Sequence, residues 1–166
     1  MQIEELLHAG ALDCAIVGGH LASRDLVRES WIADEVALVV PAAHRLATRG
    51  GPVTPADLAG EPLVLQERGS ATRRCFETWL ATQRVRPHIV MELSGADAIK
   101  NMVEAGLGVA ALSRLAVERT STLVALTASG AGMKRRLSLI HHPAKATCPL
   151  VKKFRDLARA LATAPA

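Results

Sequence analysis

The sequence predicts an α/β domain built on a largely parallel sheet, and three observations support this class. Short apolar segments alternate along the chain with longer segments whose apolar residues recur at helical spacing. Glycine, proline or a polar cap residue ends most of these segments. Hydrophobic residues make up 49% of the 166 positions, enough to cover both faces of a sheet.

The predicted strands are short and rich in Val, Leu, Ile and Ala, as strands buried on both faces are. Pro41 stops the most apolar of them, and Pro87 separates another from the helix before it. In chain order the strands are Asp13–Gly18, Leu26–Ser30, Glu35–Val40, Leu63–Gln66, His88–Leu93, Val109–Leu112, Leu123–Leu126 and Arg136–His141. The segment Ala42–Val53 is predicted to be a loop.

The predicted helices begin at cap residues and carry one apolar face. Thr54 precedes a proline and an aspartate, a pattern typical of a one-turn helix, and Ser94 is a candidate cap. In chain order the helices are Gln2–Ala9, Thr54–Leu58, Ala71–Gln83, Ala96–Ala105, Arg114–Glu118 and Pro149–Leu161. The last is expected to bury Val151, Phe154, Leu157, Ala158 and Leu161 on one face.

Two apolar strands, Glu35–Val40 and Arg136–His141, border stretches where the composition changes. They are candidates for crossings between two lobes. The sequence then predicts an inserted lobe over 42–135 and a discontinuous lobe formed by 1–41 and 136–166. Proteins of this kind bind ligands between lobes, at the carboxyl ends of strands.

Composition excludes several classes of function. The net charge is +4, but the basic residues are spread along the chain, so no DNA-binding arm is indicated. Aromatic residues are only 2%, which disfavours stacking on nucleic-acid bases. Three distant cysteines favour a reducing compartment. No apolar stretch reaches the ~18 residues of a membrane span, and no signal peptide is evident. We therefore expect a soluble cytoplasmic protein without membrane contact.

The segment Gln66–Glu77 carries the most informative local pattern, a strand, a turn and a helix start. Gly69 permits a sharp turn, and Ser70 and Thr72 place hydroxyls at the helix start, where free N–H groups attract anions. Arg73 and the arginine after it add donors that suit carboxylate, sulfate or phosphate. Local pattern alone leaves two interpretations open, an anion site and an ordinary helix cap with exposed arginines.

A weaker copy of this pattern follows at Ser94–Gly95, where a hydroxyl and a glycine again precede a helix. The segment Gly106–Ser113 lacks the third glycine of a dinucleotide-binding loop, so we interpret it as structural. Enzyme motifs such as a nucleophile elbow or a P-loop are not found, and no cofactor is expected. His141 and His142 are adjacent on a strand and point to opposite faces, which argues against a shared metal.

The order of these segments resembles the effector-binding domain of the LysR-type transcriptional regulators. The matching stretches are QIEELLHAGALDCAIVGG, LVRESWIADEVALVVPAAHRLA, VTPADLAGEPLVLQERGSATRRCFETWL, MELSGADAIKNMVEAGLGVAALSRLAVE and LSLIHH with the last helix. The third and fourth are the most specific, because they hold the Gly-Ser-x-Thr-Arg helix start and the Gly-Leu-Gly strand. The resemblance covers nearly the whole chain.

This resemblance implies a periplasmic-binding-protein-like fold with two α/β lobes, two crossover strands and a small, anionic effector in the cleft. Carried over to this sequence, the effector-binding residues are Gly69, Ser70, Thr72 and Arg73, with Ser94, Gly95 and Pro41 as weaker candidates. It also implies a side-by-side homodimer and no catalytic role.

The sequence departs from the family pattern at its beginning. The winged helix-turn-helix, its linker helix and the first strand, helix and strand of the first lobe have no counterpart here. We therefore expect an incomplete first lobe, with DNA bound only through a winged helix-turn-helix outside these residues. The favoured hypothesis is an effector-sensing module of a regulator. The alternatives are a transport-type solute-binding protein of the same fold and a small α/β enzyme, for which no motif speaks.

Overall fold

The computed structural model describes residues 3–19, 21–117 and 122–163. The strands are β1 (Cys14–Val17), β2 (Val27–Pro41), β3 (Pro62–Gln66), β4 (His88–Leu93), β5 (Val109–Ser113), β6 (Leu123–Leu126) and β7 (Lys134–His141). The α-helices are α1 (Ile3–His8), α2 (Arg45–Arg49), α3 (Ala71–Ala81), α4 (Ala96–Glu104), α5 (Arg114–Val117) and α6 (Pro149–Thr163). Short 3-10 helices span Pro55–Leu58 and Pro143–Lys145. Within the described ranges, no helix is both long enough and apolar enough to cross a membrane.

Most predicted elements are confirmed to within a few residues, and two differ. The predicted strands Leu26–Ser30 and Glu35–Val40 are parts of one long strand, β2. The predicted loop Ala42–Val53 contains helix α2, whose Leu46 is fully buried and whose first turn is capped by the His44 ring. A histidine cap and a single buried leucine give little periodicity, so this short helix escapes sequence patterns. Gln2 and Glu118, at the ends of two predicted helices, lie outside the described residues.

Contacts divide the chain into two compact units. Unit 1 comprises residues 1–33 and 136–166, and unit 2 comprises residues 34–135. The chain passes from one unit to the other twice, once inside β2 and once inside β7. The lobe boundaries predicted above, 1–41 with 136–166 and 42–135, stay a prediction.

In unit 1, β1 pairs antiparallel with β7, with Cys14 opposite His141 and Val17 opposite Ser138. The buried side chains of Leu7, Leu26 and Ile140 form its core. Helix α6 buries Val151 and Ala158 as predicted. The predicted burial of Phe154, Leu157 and Leu161 was wrong, because 36%, 58% and 61% of these residues are exposed.

The sheet of unit 2 runs in the order β6, β2, β5, β3, β4. Strand β3 is parallel to both β4 and β5, whereas β2 is antiparallel to β5 and β6. The long antiparallel β2 therefore lies inside an otherwise parallel sheet, as mixed α/β sheets permit. The predicted α/β class is confirmed, whereas the sheet of this unit is mixed rather than largely parallel, because two of its four strand pairings are antiparallel.

Helices cover both faces of this sheet, because successive strand residues point to opposite sides. On one face, Leu63 and Leu65 of β3 pack in the same cluster as Phe76 and Leu80 of α3. On the other face, Val64 lies in a cluster with residues of α4 and β5. Each such buried side chain contributes about 1.5–3 kcal/mol, so packing on both faces holds α3 and α4 in place.

The glycines before β5 have structural roles, consistent with the interpretation of Gly106–Ser113 above. Gly106 ends α4 with φ 79°, the left-handed conformation that favours glycine. A Cβ atom on Gly108 would lie 2.3 Å from the Pro62 carbonyl oxygen of β3. Glycine at 108 therefore lets β5 approach β3 closely enough to pair with it.

Candidate functional site

Two of the predicted site segments of unit 2, Gly69–Ser70 and Ser94–Gly95, lie at one edge of its sheet. Strands β3 and β4 are parallel and in register, with Gln66 opposite Leu93. The segments that follow them, which contain Gly69–Ser70 and Ser94–Gly95, therefore leave the same edge of the sheet. The carboxyl edge of parallel strands is where α/β proteins commonly bind ligands.

Ser70 is the N-cap of α3, and its hydroxyl is engaged on both sides. Its oxygen accepts a hydrogen bond from the Arg73 amide at 3.5 Å, and its proton is donated to Gln66 Oε1 at 2.5 Å. Gly69, with φ 94°, makes the turn that leads into this cap. The first amides of α3, like those of any α-helix, have no acceptor within the helix and can donate to an anion.

Thr72, in the first turn of α3, is 7% exposed, and its Oγ1 accepts a hydrogen bond from Arg135 Nη1 at 2.9 Å. A hydroxyl oxygen that accepts from a guanidinium keeps its own proton for donation. The Thr72 hydroxyl is therefore oriented as a donor, which suits a carboxylate, phosphate or carbonyl oxygen.

Three residues that the sequence analysis missed hold this threonine in place. Arg135 Nε donates to Asp34 Oδ2 at 2.6 Å, and Ser113 Oγ donates to Asp34 Oδ1 at 2.7 Å. The Asp34 side chain is fully buried, so its charge requires these partners. Asp34 lies at this edge because β2 is antiparallel to β5, with Val36 opposite Ser113.

A sequence pattern could have pointed to two of these residues. Asp34 and Arg135 each occupy the polar end of an apolar strand, before the runs VALVV and LSLI. Opposite charges at two neighbouring crossing strands are candidates for an ion pair. Ser113 has no comparable pattern, because a serine at the end of a strand such as β5 is common.

Arg73 is buried and pairs with carboxylates of α3 and β4. It is 4% exposed, and its Nε donates to Glu77 at 2.8 Å while its Nη1 contacts Glu92 at 2.9 Å and the Gln66 carbonyl at 3.0 Å. Hydrogen bonding to Glu77 raises the pKa of Arg73 above its ordinary value. A buried guanidinium needs such countercharges, and the sequence pattern at Gln66–Glu77 did not indicate the pairing with Glu92.

The second predicted helix start, at Ser94–Gly95 before α4, has no side-chain cap. Gly95, with φ 84°, is the N-cap of α4 and makes no side-chain cap bond, so the expected capping role of Ser94 was wrong. Both residues are exposed. Asp97 in the first turn pairs with Lys100 at 2.8 Å, and this hydrogen bond lowers the pKa of the exposed Asp97 carboxyl.

Pro41 is not brought together with the other candidates. It ends β2 opposite Leu123 of β6. Because β2 is antiparallel to β5, its carboxyl end lies at the sheet edge opposite to the carboxyl ends of β3 and β4. The polar residue that β2 brings to the site edge is Asp34, at the other end of its unit 2 portion.

Within residues 3–19, 21–117 and 122–163, no three His, Cys, Asp or Glu side chains are arranged to hold a metal ion. The three cysteines, Cys14, Cys75 and Cys148, are free thiols. The polar groups at the sheet edge are hydroxyls, backbone amides and the paired side chains of Arg135 and Asp34. Hydroxyl, amide and guanidinium donors are groups that can bind an anion by hydrogen bonds.

The chain matches one protein family over nearly its whole length. The family model described as LysR substrate binding domain matches residues 1–163. The chain is 34% identical over 148 residues to the HTH-type transcriptional regulator YeiE of Escherichia coli K12, covering 87% of this chain and 50% of the relative. It is 28% identical over 145 residues to the regulator CysL of Bacillus subtilis 168, covering 86% and 48%. The chain thus spans about half the length of these curated relatives.

Solved structures show the same fold. The regulatory domain of CcmR from Synechocystis PCC6803, in complex with 2-PG, matches with a TM-score of 0.83 at 23% identity, over 97% of this chain and 78% of that one. The effector-binding domain of QuiR, in complex with shikimate, matches with a TM-score of 0.81 at 18% identity, over 96% and 76%. These matches confirm the predicted periplasmic-binding-protein-like fold and give the transport alternative no support.

Proposed function

We propose that this chain, which belongs to the family of LysR substrate-binding domains of transcriptional regulators, binds a small anionic effector. The proposed site is the carboxyl edge of β3 and β4. The observation that carries the proposal is the buried chain of bonds from Asp34 through Arg135 to Thr72. These hydrogen bonds orient the Thr72 hydroxyl as a donor at the start of α3, and a helix start already favours anions.

The proposed roles differ among the predicted residues. Thr72 donates to the effector, and the first amides of α3 complete the anion site. Ser70 and Gly69 shape the turn, because the Ser70 hydroxyl is occupied by Gln66. Ser94 and Gly95 lie at the same sheet edge and border the ligand. Arg73 holds α3 to β4 through Glu92 and does not bind the effector directly.

The wider function follows the regulators that the chain resembles. We propose that effector binding changes the population of conformations of the complete regulator and thereby its DNA binding, through a winged helix-turn-helix outside these residues. The regulator acts as a homodimer in the cytoplasm and catalyses no reaction. The lobes 1–41 with 136–166 and 42–135 remain the proposed organisation of the domain.

A ligand screen tests the site. Thermal unfolding would be followed with sulfate, phosphate, 2-PG and shikimate, the last two because they occupy related structures. Thr72→Val keeps the side-chain shape and removes the hydroxyl, so we expect a stabilising ligand to bind roughly tenfold more weakly. Thr48→Val, on the exposed face of α2, is the matched control and should leave binding unchanged.

The double variant Ser70→Ala with Thr72→Ala decides the location. If a ligand stabilises this variant as much as the unmodified chain, the site at the start of α3 is excluded. Stabilisation lost in the double variant but kept in Thr48→Val would support it.

A further inference from the structure

Unit 2 contains a cavity away from the start of α3. Its volume is about 690 Å³, within the range of pockets that hold small molecules. It lies between the segment Arg74–Gln83, which covers most of α3 and the two residues after it, and the segment Ser129–Lys134. None of Ser70, Thr72, Ser94 and Gly95 lines it, so it is separate from the proposed effector site.

The floor of the cavity is apolar and held in place by hydrogen bonds. Trp79 and Met133 are among its lining residues, and both are buried. The Trp79 indole N–H donates to the Ser129 carbonyl at 3.2 Å, and the Val36 amide donates to the Met133 carbonyl at 2.9 Å. These bonds join α3, β2 and the segment before β7, so the walls are formed before any ligand binds.

The rim of the cavity is polar and positively charged. Arg74 and Lys134 contribute two exposed cations, while Thr78, Thr82 and Gln83 add hydroxyl and amide groups. Among the described residues that line it, none is aspartate or glutamate. Arg74 is held toward the start of α3 by a hydrogen bond from its Nη1 to the Gly69 carbonyl at 2.9 Å.

The remaining titratable group in the lining does not oppose an anion. Burial raises the pKa of the Cys75 thiol, with Asp34 adding to the rise and Arg135 opposing it. The thiol is therefore neutral at pH 7, and the fixed charges that line the cavity are both positive. An apolar floor with a cationic, hydrogen-bonding rim favours an amphipathic anion.

We propose that this cavity is a second ligand site, which binds a small organic anion whose aromatic or branched apolar body rests on Trp79 and Met133. The anionic group lies at the rim, near Lys134 and Arg74. The site is independent of the effector site at α3, since a ligand here contacts neither Thr72 nor the first amides of that helix.

Naphthalene-1-sulfonate is a suitable probe, and amide ¹H–¹⁵N spectra locate its binding. We expect shifts concentrated at Gly130, Gly132 and the amides of Thr78–Gln83. The neutral analogue 1-naphthalenemethanol should bind roughly fivefold more weakly or worse, because it lacks the charge. Equal affinity of the two compounds, or shifts confined to other parts of the chain, would overturn the proposal.

Variants separate this cavity from the rest of the surface. Lys134→Glu reverses an exposed rim charge and should weaken sulfonate binding at least roughly fivefold. The matched control Lys153→Glu makes the same change on exposed α6 and should have no effect. Thr78→Trp places a large ring at the mouth and should abolish the shifts at Gly130 and Gly132. Thr72→Val should leave them intact, and their loss in that variant would refute an independent site.

Discussion

The starts of α3 and α4 follow neighbouring parallel strands, and both combine a serine, a glycine and a free helix end. The start of α3 is capped by Ser70 and joined through Thr72 to the buried Asp34–Arg135 pair. The start of α4 has Gly95 as its N-cap, no side-chain cap bond, and an exposed Asp97 in its first turn.

The difference shows that a helix start becomes a binding element through the residues behind it. At α3, a hydroxyl is oriented by a guanidinium that is itself held by a buried carboxylate. Such preorganised donors bind an anion without first ordering themselves. At α4, donors of the same kind lie in solvent and compete with water. The contrast between the two helix starts should therefore appear in the free energy of unfolding as well as in the geometry.

The largest effect is expected at Asp34. Asp34→Ala leaves the Arg135 guanidinium partly buried without its countercharge and leaves Ser113 without its acceptor. Breaking such a pair on one side costs about 3–5 kcal/mol, so the free energy of unfolding measured with urea should fall by that amount. Asp97→Ala at the start of α4 removes a fully exposed carboxylate and should leave the unfolding midpoint unchanged.

A double variant separates charge from packing. Asp34→Leu combined with Arg135→Met replaces the pair by apolar side chains, and it should recover most of the stability lost in Asp34→Ala. If Asp34→Ala costs no more than Asp97→Ala, the buried pair does not support the start of α3 as described.

The sequence predicted the strands and the helix starts at this sheet edge well, but it did not predict the buried residues that hold Thr72. Strand β4 and the start of α3 were predicted at their observed residues, because proline and serine mark their ends. The cluster behind Thr72 joins positions 34, 72, 113 and 135, which only the sheet register brings together. The sequence also does not show that β2 is antiparallel to β5. For this reason it did not show that Pro41 lies at the sheet edge opposite to the other candidate residues.

The 3-10 helix Pro55–Leu58 is a third capped helix start, and the stability that its cap provides should depend on pH. Its cap residue Thr54 accepts from the Asp57 amide, and Asp57 accepts from the Thr54 amide in return. The hydrogen bond from Arg49, followed by that from the Thr54 backbone, lowers the pKa of Asp57 to about 2. The folded pKa lies below the unfolded value, so this stability is present above about pH 4 and is lost as the pH falls toward 2.

Because Asp57 is partly solvated, its contribution is about 1–2 kcal/mol rather than the full value implied by its pKa. Asp57→Asn should therefore be less stable than the unmodified chain near pH 6, and the two should converge near pH 2 in urea unfolding. Asp97→Asn should show no such pH-dependent difference at physiological salt, since its ion pair is exposed and screened. A constant gap for Asp57→Asn between pH 6 and pH 2 would contradict the assignment.

The smallest expected effect compares the two serines directly. Ser70→Ala removes an N-cap and a hydrogen bond to Gln66, and the free energy of unfolding should fall by about 1 kcal/mol. Ser94→Ala removes an exposed hydroxyl that caps no helix, so its change should stay within about 0.5 kcal/mol. Urea unfolding of the two variants under identical conditions measures both. Equal losses would mean that Ser94 caps α4 in solution, and the contrast between the two helix starts would then rest on the Asp34–Arg135 pair alone.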